Sequence, residues 1–260
     1  MKLDFDPRKN MSAFAYLYSK IDNVNILPRI IKIVKSWHNV KILKNYVEIK
    51  YKGRTIKFYY DTVKQLINTV WVITETFIEL KHDKLNVIDT AVVDVGANIG
   101  DTAIFFALKG AKHVYAFEPY PYVYNIAKKN IKLNHLEDKI TLLNEGCGKS
   151  GFVRIKKDYK SRGGTELRSF KNGKKIRLES LDEIVKRFKL KHAALKVDCE
   201  GCEYALLLNA SDEALSAFDQ VIIEYHYGYK NLVKRLSNIF SVRFIPPKEK
   251  GGAGLIYVEK

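Results

Sequence analysis

An aspartate, two glycines and a glutamate lie along one stretch of this chain at distances suited to gripping a nucleoside. Residues 92–119 read VVDVGANIGDTAIFFALKGAKHVYAFEP. Asp94 stands two residues before Gly96, Gly96 and Gly100 bracket a G-x-x-x-G turn, and Glu118 follows 22 residues after Gly96. Glycines let backbone approach a ligand where a Cβ would obstruct it. An acid about 20 residues beyond such a turn, at the end of the next strand, can accept both hydrogens of a ribose diol.

The glycine spacing bears on which nucleoside is held. A dinucleotide site normally has G-x-G-x-x-G, its second glycine letting pyrophosphate settle on a helix N-terminus. Here Ala97 and Asn98 occupy that space, which weakens the NAD reading. Asp94 before the glycines, no phosphate-binding lysine and the Glu118-Pro119 pair suit S-adenosylmethionine, whose ammonium favours a nearby carboxylate. The plain alternative for the glycines is a structural strand-to-helix connection.

These residues need elements to position them. Val92–Val95 is β-branched except at Asp94 and predicts a buried parallel strand. Asn98 is expected to cap a helix over 98–109 that stops at Gly110, and a second strand over 113–118 delivers Glu118. Helix 121–134 and strand 139–144 continue the alternation, followed by strand 193–198, helix 203–209, strand 219–225, helix 229–239 and strands 241–245 and 254–259. Such alternation implies a parallel sheet. Upstream, Phe14–Lys35 reads as two short helices interrupted at Pro28, Tyr46–Tyr60 as a hairpin turning at Lys52-Gly53, and Asp61–Leu80 as an amphipathic helix. Residues 149–191 break the rhythm as an insertion, with a hairpin around Phe152–Ile155 and a helix opening at Ser180.

With LKVDCEGCEYALL at 195–207 and IIEYH at 222–226, the stretch from Val92 resembles the FkbM family of S-adenosylmethionine-dependent methyltransferases, its archaeal-type members especially. The likeness runs over roughly residues 70–260. It implies an α/β, Rossmann-like class I methyltransferase fold, a seven-stranded mostly parallel sheet with a terminal antiparallel hairpin. Residues 1–80 would be an extension of helices and hairpin packed on that core, and 81–260 the methyltransferase domain. Asp94, Gly96, Ala97, Asn98, Gly100 and Asp101 would form the cofactor turn, with Asp94, Gly96, Asn98 and Gly100 at the methionine part. Glu118, with Pro119, would take the ribose, and Glu145 and Gly146 the adenine.

Methyl transfer asks the protein mainly for in-line positioning, because the sulfonium is already activated. A hydroxyl acceptor must also lose its proton, and Asp198, Glu200 and His226 are the candidate catalytic bases, Asp198 or His226 preferred. The plain alternatives are a capped turn at Asp198–Gly201 and a hydrogen-bonded imidazole at a strand end. Cys199 and Cys202 have C-x-x-C spacing and Cys147 belongs to the same rim; a disulfide, or a metal with His226 as fourth ligand, is weighed against small buried thiols. The thiols are expected, and no metal.

Composition agrees with an intracellular enzyme. The 260 residues are 47% hydrophobic, enough for a substantial core. The start of the chain has no signal-peptide core, no apolar run spans a bilayer, and three cysteines make no disulfide framework, so a cytoplasmic, reducing location is expected. Of the formal charge of +16, residues 149–191 carry +10. That segment, with Tyr159 and Phe170, reads as a solvated face, a site for an anionic sugar or lipid headgroup, or a groove for RNA phosphates. The leading function is O-methylation of a hydroxyl on a glycan, lipid or small metabolite. An RNA methyltransferase, or a non-catalytic nucleic-acid-binding protein that retains the fold, is the alternative.

Overall fold

A computed structural model describes residues 40–156, 169, 171–247 and 253–260. The helices expected over Phe14–Lys35 lie outside the described residues, as do Tyr159 and Phe170. The chain divides into two compact units, Met1–Lys81 and His82–Lys260.

In the first unit, strands β1 (Val40–Ile42), β2 (Tyr46–Tyr51) and β3 (Arg54–Tyr59) form an antiparallel sheet in that order. The expected hairpin is β2–β3. Its two-residue turn, Lys52-Gly53, takes φ of +46° and +75°, the left-handed pair that matches the twist of adjoining strands. Alternation buries Val47, Ile49, Ile56 and Phe58 together. Helix α1 (Val63–Ile73) starts where the Thr62 hydroxyl accepts from the Gln65 N–H, and runs into a π-helical turn at Thr74–Ile78. That turn directs Phe77 against Tyr51 and Phe58, ring centroids 5.3 and 5.7 Å away.

The second unit is built on a seven-stranded sheet. Its strands are β4 (Ala91–Val95), β5 (His113–Phe117), β6 (Ile140–Leu143), β10 (Ala193–Val197), β11 (Phe218–Tyr225), β12 (Ser241–Ile245) and β13 (Gly254–Glu259). Their order is β12-β13-β11-β10-β4-β5-β6, with β13 antiparallel to both neighbours and the inner strands parallel. This is the α/β sheet of the class I methyltransferase architecture, terminal hairpin included. Crossovers are made by helices α2 (Asp101–Lys109), α3 (Pro121–Leu133), α4 (Leu181–Phe188), α5 (Cys202–Leu208), α6 (Asp212–Ser216) and α7 (Lys230–Leu236). Val93, Val95, Phe117, Leu195, Val197 and Ile223 bury the sheet's centre.

The helix ends follow local rules. Gly110, left-handed at φ +110°, stops α2; Pro121 opens α3; Ser180 and Glu183 close a capping box on α4. One expectation needs correction. Asn98 does not cap α2, which begins three residues later behind Gly100. Asn98 itself is left-handed at φ +47°, and its N–H is used elsewhere in the site.

Within 149–191, β8 (Gly151–Ile155) pairs antiparallel with β9 (Lys174–Glu179), and β9 pairs parallel with the short β7 (Gly146–Cys147), giving a separate three-stranded sheet. No helix among the described residues is long and apolar enough to cross a membrane.

Candidate functional site

Parallel register brings the carboxyl ends of β4, β5, β6, β10 and β11 to one rim, where open α/β sheets place their ligands. Each strand end contributes a polar group there, and the chain crosses the rim at two turns that touch.

The first turn follows β4. Gly96, Asn98 and Gly100 all have positive φ, so the chain bends sharply before α2. The N–H groups of Gly96 and Ala97 both donate to the Phe117 carbonyl, 3.1 and 2.9 Å, tying the turn to the end of β5. Glu118 completes the tie: Oε2 accepts from the Asn98 N–H at 3.0 Å and Oε1 from the Tyr120 N–H at 2.9 Å. Asn144, just past β6, donates its amide to the carbonyls of Glu118 and Pro119. Glu118 is only 5% exposed. Burial, opposed in part by those two backbone donors and by Lys196, pushes its pKa up to about 8.

Beneath the turn, Asp94 and Lys196 are register partners on neighbouring parallel strands and both are buried. The Lys196 ammonium lies 3.1 Å from Asp94 Oδ1 and donates to the carbonyls of Gly96 at 2.8 Å and Val95 at 3.3 Å. Asp94 Oδ2 accepts from the Thr102 hydroxyl at 2.6 Å. Desolvation disfavours the ammonium, but Asp94 and Asp198 outweigh it and Lys196 stays charged, its pKa raised. Asp94, 0% exposed, thus supports the turn from below. Lys196 escaped the sequence analysis because a lysine in an apolar strand declares no role until its neighbour is known. The available signal was a charged residue inside an otherwise apolar run, beside a strand with an aspartate at the matching position.

The second turn, Asp198–Gly201, links β10 to α5. Gly96 backs onto it: a Cβ there would fall 1.9 Å from the Asp198 carbonyl oxygen. Glu200 and Gly201 are left-handed, at φ +58° and +114°. Cys199 and Cys202 are joined as a disulfide across this turn, which corrects the expectation of thiols at both positions. The reversal at Glu200-Gly201 brings their Cα atoms to 5.4 Å, inside the range a bridge requires. Cys147 is the buried free thiol, and burial first, then nearby carboxylates, raise its pKa.

His226, just beyond β11, is held between two carboxylates. Its Nδ1 lies 2.9 Å from Glu203 Oε1 and its Nε2 3.0 Å from Glu200 Oε2. Glu203, fully buried, also accepts from the N–H groups of Gly201 and His226. Desolvation alone would lower the histidine pKa; hydrogen bonds to Glu200 and Glu203 and their charges overcome it and carry the value to about 10. Ligand atoms of Asp198, Glu200 and His226 lie within 4.8 Å of one another, a spacing open to a cation. The imidazolium already supplies positive charge to that cluster. All three candidate bases are therefore brought together, with the histidine protonated at neutral pH.

The adenine candidates sit at the other end. Gly146 is buried in β7, and Glu145 Oε2 pairs with Arg187 Nη1 at 2.7 Å, an arginine that also holds buried Glu179 at 2.7 Å. Ala97 and Asp101 are buried within the first turn and the opening of α2.

The methyltransferase FkbM domain model matches residues 94–242, more than half of the chain. Ribosomal protein L11 methyltransferase of Carboxydothermus hydrogenoformans is 48% identical over 52 residues, 20% of this chain and 17% of that one. Among solved structures, TrmK of M. capricolum with S-adenosyl-homocysteine aligns at 18% identity and TM-score 0.42, over 66% of this chain and 62% of that one. An rRNA methylase from Streptococcus thermophilus aligns at 17% identity and TM-score 0.47, over 70% and 95%. The chain thus spans less than two thirds of the L11 enzyme and of TrmK.

Proposed function

The chain belongs to the methyltransferase FkbM domain family, and from that premise we propose that it transfers a methyl group from S-adenosylmethionine to a hydroxyl oxygen. The observation that carries this reading is the contact of the two rim turns. The glycine turn tied to Glu118 and the turn bearing Asp198 are pressed together at Gly96, so a cofactor held by one lies beside a base on the other.

The residues fit this cofactor. A buried carboxyl at the end of β5, beside a turn with three left-handed residues, suits a ribose diol, because once ionised both its oxygens keep a lone pair beyond the backbone bonds. Asn98 and Gly100 shape the methionine end, Asp94 and Lys196 brace it, and Glu145, Gly146 and Asn144 border the adenine end. When bound, S-adenosylmethionine supplies a methyl on a positively charged sulfur, which leaves as a neutral thioether.

On the protein side, Asp198 would take the proton that the acceptor hydroxyl must lose. His226, kept as an imidazolium by Glu200 and Glu203, lends positive charge beside the developing alkoxide. Tyr227, next to His226, is 68% exposed and faces Tyr204 across 6.1 Å, giving the acceptor an aromatic surface at the rim.

Calorimetric titration with S-adenosylmethionine and S-adenosylhomocysteine, on the native chain and on Glu118→Ala, tests the reading. Micromolar binding that disappears in the variant supports it; failure of the native chain to bind either nucleoside overturns it.

A further inference from the structure

The ribbon β8–β9 carries a surface that methyl transfer to a small hydroxyl compound does not use. Its register sets Phe152 opposite Arg177 and Arg154 opposite Lys175, while Ile155 and Ile176 are buried on the other face. The outward face is therefore one aromatic ring among three cations. Phe152 is 61% exposed, and Lys175 Nζ lies 3.8 Å from its ring centroid. Arg177 already faces Glu179 and Glu183, whereas Arg154, which donates to the Gly173 carbonyl at 3.4 Å, and Lys175, which lies over one face of the Phe152 ring, pair with no carboxylate among the described residues.

An exposed phenylalanine gains nothing from water, and a solvated charged face does not need one. An aromatic platform flanked by cations is the chemistry that single-stranded nucleic acid requires: a π-face for a base and positive charge for the phosphates beside it. The ribbon is also close to the rim. At its root a Cβ on Gly148 would lie 3.6 Å from Ala205 Cβ on α5, while the adjacent Tyr204 hydroxyl donates to the Gly228 carbonyl and accepts from the Tyr227 N–H. Helix α5, which follows directly from the Asp198–Gly201 turn, thus meets the loop leading into the ribbon at Ala205 and exposed Tyr227 at Tyr204.

We propose that the acceptor is single-stranded RNA, with one base stacked on Phe152, phosphates on Arg154 and Lys175, and a ribose hydroxyl delivered to Asp198. This rests on the methyl-transfer reading above, which it deepens by naming the substrate class. RNA joins a polyanionic backbone to the hydroxyl that the reaction needs.

Fluorescence anisotropy with a labelled single-stranded RNA of roughly 20 nucleotides, at about 50 and 200 mM salt, tests the surface. Phe152→Ala should weaken binding roughly five-fold to hundred-fold, and Phe152→Trp should restore it. Arg154→Glu with Lys175→Glu should reduce the salt slope by about two. S-adenosylmethionine binding, measured on the same variants, should stay at the native level and so separates failure of this surface from failure of the cofactor reading. RNA affinity indifferent to Phe152, RNA binding without incorporation of labelled methyl, or Phe152-dependent binding to phosphatidylserine vesicles in place of RNA would each overturn the proposal.

Discussion

The carbonyl oxygen of Asp198 occupies the space that a side chain on Gly96 would need, 1.9 Å from the position of its Cβ. Gly96 is also left-handed at φ +80°. The glycine therefore answers a contact with the protein's own chain, and that contact registers the turn proposed to hold the cofactor against the turn carrying the candidate base. Gly96→Ala is expected to cost roughly 3 kcal/mol or more through strain and displacement together. It should abolish cofactor binding, as thermal unfolding with and without S-adenosylhomocysteine would reveal.

Glu118 makes stability depend on pH. Its pKa rises from an ordinary 4.5 to about 8, so between these values the folded chain holds a proton that the unfolded chain has released. The associated stability is fully present below pH 4.5 and is lost as pH rises through about 8. Denaturation midpoints should fall across this window, and Glu118→Gln should flatten that part of the profile. A ribose diol prefers the ionised carboxylate, so cofactor affinity should strengthen as pH rises toward 8 and the binding should release a proton.

His226 is expected to titrate near 10 and to remain protonated through the neutral range. With the folded value raised above 6.5, its contribution to stability is complete below 6.5 and disappears as pH rises through about 10. Proton NMR of the ring should show no transition near 6.5 in the native protein. Glu203→Gln should bring the transition down toward the neutral range, and the activity profile should gain a histidine limb there.

Lys196 and Asp94 form a pair whose halves are not separable. Lys196→Met leaves the Asp94 carboxylate buried opposite an apolar group and should cost about 3–5 kcal/mol. Adding Asp94→Leu to that variant should recover much of the loss in urea unfolding, while cofactor affinity stays impaired because the Gly96 carbonyl has lost its donor.

Thiol counting checks the C-x-x-C turn. Under denaturing, non-reducing conditions the protein should expose one reactive thiol, Cys147, and after reduction all three cysteines.

Local pattern was sufficient for most of the architecture. Strand and helix periods are properties of short segments, so β4 through α3, the β2–β3 hairpin, the cap at Ser180 and the stop at Gly110 were legible residue by residue, and the family likeness supplied the antiparallel hairpin at the end. Glycine spacing with an acid at the next strand's end likewise singled out the Gly96–Gly100 turn and Glu118, which the structure ties together, and which we propose hold the cofactor. What only tertiary structure decided were relationships between segments far apart in the chain. Asp94 meets Lys196 across about a hundred residues because two parallel strands are in register, and no periodicity carries that information. Asn98 does not cap α2 because the turn, tied to Glu118 on the next strand, holds it left-handed at φ +47° and not in the extended form a cap residue takes, a constraint invisible within the helix itself. The state of His226 depended in the same way on Glu203, buried on a different element. Sequence determines which groups are present and what local form they take; the charge and orientation of each at the rim are set by partners that folding alone brings within reach.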